Sequence, residues 1–220
     1  MDKTTGKFIQ IPYGNSLNQL SHHNIHGLSV HNNKLYVGLF FHGLEVMNLN
    51  DNKIVARYPQ VPADGKNSTM VMCIYKTSDN RLLVGTTGSG LFEYNERSGQ
   101  LSPVIYIPGN SFVNAIEEDH TGTIWTGSLI RGVFYYNPRT GESGNINFAS
   151  LKDSTKNTYT VQGIYEDTDY NIWLATEAGG LFKINRQRQL VKRYTTTEGL
   201  PPTAYTGYLK IQIKICGSAQ

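Results

Sequence analysis

The stretch Gly122-Thr123-Ile124-Trp125-Thr126-Gly127, followed at Gly132 by Val133-Phe134-Tyr135-Tyr136-Asn137, decides the fold of this chain. Three other stretches repeat it. Asn171-Ile172-Trp173-Leu174-Ala175 precedes Gly180-Leu181-Phe182-Lys183-Ile184-Asn185. Arg81-Leu82-Leu83-Val84-Gly85 precedes Gly90-Leu91-Phe92-Glu93-Tyr94-Asn95. Lys34-Leu35-Tyr36-Val37-Gly38 precedes Gly43-Leu44-Glu45-Val46-Met47-Asn48. In every copy the second Gly lies five residues after the Gly or Ala position, and Asn lies five beyond it. Successive copies are 47, 42 and 48 residues apart, counted from Gly38 to Gly85, Gly127 and Ala175. A period of about 40–50 residues marks a propeller or solenoid array.

Each unit reads as four short strands. In the third, residues 113–118 alternate apolar and polar side chains. Asp119-His120-Thr121-Gly122 then supplies hairpin-turn residues. Residues 123–128 and 133–136 are the next two strands, and the turn at 137–141 leads to an outer strand near 145–148. The full units span 25–58, 71–104, 113–148 and 161–195. Asp2-Lys3-Thr4-Thr5-Gly6 matches the turn Asn95-Glu96-Arg97-Ser98-Gly99, so residues 1–12 are expected to be the last strand of a preceding unit. Residues 204–220 are expected to begin a further unit aberrantly.

Composition agrees with an all-β array. The chain has 220 residues, enough for one or two domains, with 22 Gly and 14 Tyr and no sustained helical period. Its formal charge of +3 comes from 20 basic and 17 acidic residues without a basic block, which argues against a nucleic-acid partner. No apolar run approaches the ~18 residues of a membrane span. Residues 1–6 lack the apolar run of a signal peptide. Cys73 and Cys216 make no disulfide framework, and Cys73 alternates with apolar neighbours as a core residue does. Four-stranded blades around a channel form a β-propeller. Four blades plus a partial blade at each end read as an arc of a larger ring. Trp125 and Trp173 are expected to be wedges between blades, and the open ends to drive self-association.

The pattern Asp/Asn-x-x-Gly-x-Ile-Trp-x-Gly, then Gly-Leu-Phe, resembles the two-component regulator propeller repeat. Asn171 and Ala175 depart from it, but Asn tolerates the left-handed turn and Ala is small. The lead-in at 15–25 and Glu198-Gly199-Leu200-Pro201 also look like that family's linkers. The resemblance implies the sensor region of a bacterial hybrid two-component histidine kinase, with rings of about seven blades. It further implies a periplasmic location in the parent protein, an oligosaccharide ligand, no cofactor and no catalysis. Membrane attachment would come only from parent sequence outside this chain. The tail at 210–220 lacks the next repeat. With allowed codons, a shifted frame spells Asn-Pro-Asn-Lys-Asn-Leu-Trp-Ile-Ser-Thr there, so a frame shift near residue 209 is expected.

The sites that carry chemistry are few. Glu117, Glu118 and Asp119, like Glu166, Asp167 and Asp169, recur at the turn after the first strand, as caps of that turn would. Gly88-Ser89-Gly90 is no nucleophile elbow. His22, His23 and His26 lie close in sequence, yet in a linker without Cys, so solvated or packed imidazoles are expected rather than a metal site. Catalytic and metal residues are therefore expected to be absent. A ligand surface is expected on the loops joining second and third strands, which vary within a fixed frame. Phe40, Phe41 and His42 could stack on a sugar ring; Arg131 and Glu177 could hold hydroxyls or a carboxylate. Tyr159, with Asn67, Asn110 and Phe112, lies in the linkers on the same face. The rival readings are a protein-interaction scaffold and, less favoured, a propeller lyase or glycosidase.

Overall fold

The computed structural model describes residues 4–8, 10–59, 70–148 and 159–200. The expectations for Asn67, Cys216, residues 204–220 and the shifted frame lie outside them.

Sixteen strands form four sheets of four. The first contains β1 (Ile25–His31), β2 (Lys34–Leu39), β3 (Gly43–Asn48) and β4 (Lys53–Tyr58). The second contains β5 (Val71–Lys76), β6 (Leu82–Thr86), β7 (Leu91–Asn95) and β8 (Gln100–Pro103). The third contains β9 (Val113–Glu118), β10 (Ile124–Ser128), β11 (Val133–Tyr136) and β12 (Ser143–Ile146). The fourth contains β13 (Val161–Glu166), β14 (Ile172–Thr176), β15 (Gly180–Ile184) and β16 (Leu190–Tyr194). Each is an antiparallel meander in chain order. Sequence neighbours pair because each hairpin carries its own turn chemistry: Asn80 and Tyr170 adopt positive φ, as does Gly122.

The core lies between blades. One cluster joins Tyr36, Leu44 and Val46 of the first blade to Val71, Leu82, Val84 and Phe92 of the second. A second joins Leu83 and Leu91 to Ile116, Ile124 and Phe134, and a third joins Trp125 and Val133 to Ile172, Leu174 and Phe182. Alternation along β2, β6, β10 and β14 thus sends one set of side chains forward and the other back. Tyr36, Leu83 and Trp125 occupy one repeat position and are almost fully buried against the following blade. Trp173, at the same position on the outward face of the last blade, is half-buried. Trp125 is the wedge expected between the third and fourth blades; Trp173 lies on the last described blade, against Tyr194 and under Lys183 Nζ of its own sheet.

The signature glycine ending the second strand has a mechanical cause. A Cβ on Gly127 would stand 2.6 Å from Val161 Cγ1, and one on Gly38 would stand 2.5 Å from Val71 Cγ1. On Gly85 it would meet Val113 Cγ1 at 2.8 Å. The first Val of each following blade therefore fills the space that a side chain would take. Ala175, on the outward face of the last blade, carries a Cβ. Gly132 has a different role: its φ of 75° opens the third strand in the left-handed region.

The first blade differs at its leading face. Phe92, Phe134 and Phe182 share one core position, and Glu45 replaces them in the first blade at 1% exposure. Its carboxylate accepts Arg57 Nε at 3.0 Å and the Ser21 N–H at 3.3 Å. Arg57 also donates to the carbonyls of Ser16 and Gln19, at 2.9 and 2.7 Å. Leu20 packs with Val37, Leu39, Met47 and Ile54, against which Ile11 also lies. Residues 11–21 therefore lie over the outer half of this face. The described residues among 4–12 form no strand, in contrast to the expected outer strand of a preceding blade. The described part of the segment makes an isolated Tyr13–Leu20 bridge instead. Inner positions remain open: Leu28 is 57% and Val30 58% exposed.

Candidate functional site

The linkers between blades and the loops joining second and third strands lie on one face. Backbone hydrogen bonds tie them together: Phe40 N to Asn24 O at 3.0 Å, Thr87 N to Met70 O at 3.1 Å and Glu177 N to Thr160 O at 2.8 Å. Thr160 Oγ1 also donates to Leu129 O at 3.3 Å, joining the loops of the last two blades.

At the first blade this face carries a group of rings. Phe40 stacks on His26 at 4.9 Å between centroids and meets Phe41 edge-on at 4.4 Å. His42 stacks on His22 at 4.7 Å, His22 on His23 at 4.4 Å, and His23 contacts Tyr13 at 5.3 Å. The three linker histidines are thus packed. No group of three or more possible metal ligands occurs among the described residues. The Asn24 N–H donates to His22 Nδ1 at 3.1 Å, which requires that nitrogen unprotonated. Burial, then the charges of His23 and His42, hold the His22 imidazole below its ordinary pKa.

Phe41 stands out within this group. It is 54% exposed, with φ at 70°. The same loop position holds Gly88 at φ 84° in the second blade and Ala178 at φ 59° in the fourth, and Ile130, 52% exposed and without positive φ, in the third. A large side chain in the left-handed region costs roughly 1–2 kcal/mol. Backbone strain of this kind clusters at binding and active sites, although Tyr170 and Arg188 share it in hairpin turns.

The other expected residues are dispersed. Arg131 is exposed on the third blade; its backbone N–H donates to Ser128 Oγ at 3.1 Å and its carbonyl accepts from Asn145. Glu177 accepts Gln162 Nε2 at 3.3 Å. Asn110 is exposed and Phe112 lies against Gly88. Tyr159 is not presented to solvent: it is 8% exposed, packed on Phe148 and Phe182, with the Arg193 guanidinium 4.9 Å from its ring centre. Tyr13 and the coupling of His42 to His22 and His23 escape sequence reading, because their partners lie on separate segments.

The opposite face holds the acidic turns. A cleft of about 590 Å³ there is lined by Ser78, Glu118, His120, Arg139 and Glu166. Its carboxylates are engaged by backbone. Glu118 accepts the Ser78 N–H at 2.5 Å, and Glu166 accepts the His120 N–H at 2.8 Å and its Nδ1 at 2.6 Å. Asp119 and Asp167 cap their own turns, as expected, whereas the preceding Glu residues cross to the neighbouring blade.

No protein-family model matches the chain, and no curated protein matches it. Solved structures do. The extracellular domain of a proposed hybrid two component system from B. thetaiotaomicron, BT3049, superposes with a TM-score of 0.68 at 23% identity, over 83% of this chain and 24% of that one. The chain has a β-propeller fold. The extracellular domain of BT4673 from the same organism gives a TM-score of 0.60 at 22% identity, over 76% of this chain and 22% of that one. Virginiamycin B lyase from Staphylococcus aureus gives 0.56 at 17% identity, over 76% and 54%. The chain spans 24% and 22% of the lengths of these two extracellular domains. No described helix is long and apolar enough to cross a membrane.

Proposed function

We propose that this propeller arc is the ligand-sensing part of a two-component system sensor, acting in the periplasm and binding an oligosaccharide without catalysis. One observation carries the reading: an exposed Phe41 beside Phe40 and His42, held in the left-handed region at a loop position that the second and fourth blades fill with Gly88 and Ala178 and the third with Ile130. Apolar ring faces with a few polar neighbours suit pyranose recognition. The resemblance of the repeat and the likeness to two sensor domains support the signalling role.

The test is calorimetry of the whole chain against neutral and acidic trisaccharides, repeated with Phe41→Gly. The glycine suits the backbone, so the variant keeps its melting temperature while affinity falls at least about tenfold, as for an aromatic anchor. Unchanged affinity in the folded variant overturns the site.

A second reading, association between copies, rests on Leu28 and Val30 at the leading end and half-buried Trp173 at the trailing end. Sedimentation tests it: a monomer at all concentrations excludes it.

A further inference from the structure

At each junction the following blade sends a carboxylate to the first turn of the blade before it. Glu96 accepts from Asn32 and Lys34 of the first blade, both at 2.7 Å. Glu118 accepts the Ser78 N–H and hydroxyl of the second, at 2.5 and 2.7 Å. Glu166 accepts the His120 N–H of the third at 2.8 Å. The matching N–H of the fourth blade belongs to Thr168, which is exposed and has no acceptor among the described residues. The junctions fix a second contact. Five residues before Glu118 and Glu166 stand Val113 and Val161, which fill the hollows over Gly85 and Gly127. On the fourth blade Ala175 occupies that hollow itself. At the spacing of the inner junctions its Cβ meets an incoming Val as closely as the 2.6 Å between a Cβ on Gly127 and Val161 Cγ1. A strand that docks here therefore needs a residue without γ carbons at that place.

The strands nearest at hand do not fit. A second copy would bring Ile25 and, five residues on, Val30. The chain's own continuation reads Tyr205 and Lys210 at those places, and a blade like the inner ones brings Val. None joins a small residue to a carboxylate. The face itself is cationic. In the row across its strands, Trp173 pairs with Lys183, where the inner blades have Val46, Glu93 and Tyr135. Lys183 Nζ lies over the Trp173 ring at 5.2 Å and enters no ion pair among the described residues. From these positions we infer that the trailing face of the fourth blade docks an extended acidic strand of another polypeptide, with Gly or Ala over Ala175 and, five residues on, a carboxylate on the Thr168 N–H. Half-buried Trp173 supplies the apolar surface that the strand covers, and Lys183 favours acid by its charge. The site lies away from the loops of the oligosaccharide reading and does not rest on it.

The experiment titrates synthetic peptides into the full chain and reads tryptophan emission and heat. The peptides copy residues 111–119, Ser-Phe-Val-Asn-Ala-Ile-Glu-Glu-Asp, with Val113 kept or changed to Ala. The Ala form binds about tenfold more tightly than the Val form, as relief of overpacking requires. In the chain variant Ala175→Gly the order reverses. Glu118→Gln in the Ala-form peptide weakens binding about tenfold. Thr168→Pro, at a turn position that suits proline, removes the N–H and makes the peptide's Glu118→Gln change silent. Both chain variants keep the fold, checked by their melting temperatures. The same peptide preference in the parent and in Ala175→Gly overturns the inference, because the peptide then lies elsewhere. Binding that Glu118→Gln leaves unchanged overturns it too, as does the absence of saturable binding by any peptide at about 1 mM. Self-association of the chain that the Ala-form peptide fails to disperse gives the face to a second copy and also overturns it. None of these outcomes bears on sugar binding at the loop face.

Discussion

Trp125 donates its indole N–H to Asp119 Oδ2 at 2.9 Å, and one blade later Trp173 donates to Asp167 Oδ2 at 2.7 Å. The same Asp accepts the turn's own amides: Asp119 Oδ1 takes Thr121 N at 2.9 Å and Thr123 N at 3.0 Å. One carboxylate thus closes the hairpin and anchors the wedge. In the second blade Leu83 replaces the Trp, and Thr77 replaces the Asp, with its hydroxyl taking Arg81 N at 2.9 Å. Aspartate is present where an indole needs an acceptor.

Asp119→Ala orphans a buried indole N–H and two turn amides. It lowers stability by about 2–3 kcal/mol, read from chemical denaturation. Trp125→Phe costs less in hydrogen bonding but leaves Asp119 partly unmatched. The two changes couple by about 1 kcal/mol or more in a double-mutant cycle. Additivity within error shows that the hydrogen bond contributes nothing.

Gly127→Ala drives a Cβ into Val161 of the next blade and costs about 1–3 kcal/mol, as overpacking does. Ala175→Gly, at the equivalent position of the last blade, costs only the backbone entropy of about 0.5–1 kcal/mol. Thermal melts of the two variants separate the explanations. Equal losses refute the view that the signature glycine exists to admit the next blade's Val.

The repeat made blade number, strand order and wedge residues legible, because each unit carries its own alternation, turn and glycine at fixed offsets. What the sequence concealed is what depends on contacts between units. Glu118 and Glu166 read as caps of their own turns, yet they bind amides of the preceding blade, since register within one strand says nothing of what faces its end. Tyr159 reads as a linker residue and is core, because its neighbours Phe148 and Phe182 come from two other segments. Glu45 sits in a repeat position held elsewhere by Phe, a signal present in the alignment of the four copies, but its meaning needs Arg57 and residues 15–21 in place. The histidine stack forms through His42, some twenty residues from the linker histidines, so spacing alone could not join them.

Glu45→Ala leaves the Ser21 amide without its acceptor and removes the carboxylate from Arg57, which keeps its bonds to the Ser16 and Gln19 carbonyls. It destabilises by about 1–3 kcal/mol, the cost of a lost charge-assisted hydrogen bond and an unsatisfied buried group. Glu45→Phe with Arg57→Met restores the residue class of the other blades and recovers most of that loss. Residues 11–21 then lose their tether, and limited proteolysis cuts them faster in the double variant than in the parent. Unchanged cleavage refutes the tether.

Glu117 extends from β9 toward the fourth blade. Burial first, then the charges of Glu166 and Glu118, push its pKa up from 4.5 to about 7. The folded chain holds this proton more tightly than the unfolded chain, so below pH 4.5 both states are protonated and the group is neutral in its effect. Between pH 4.5 and 7 the unfolded state releases the proton first, and stability falls as pH rises. Above about pH 7 the native state carries an unmatched charge, and the loss levels off at no more than about 3 kcal/mol. Glu117→Gln removes the charge with little change of shape. It therefore stabilises the chain at pH 8, has a smaller effect at pH 6 and none near pH 4. Denaturation midpoints measured at these three pH values check it. A stabilisation that is the same at all three, or a loss at pH 8, shows that Glu117 is matched by a partner and does not strain the interface between the third and fourth blades.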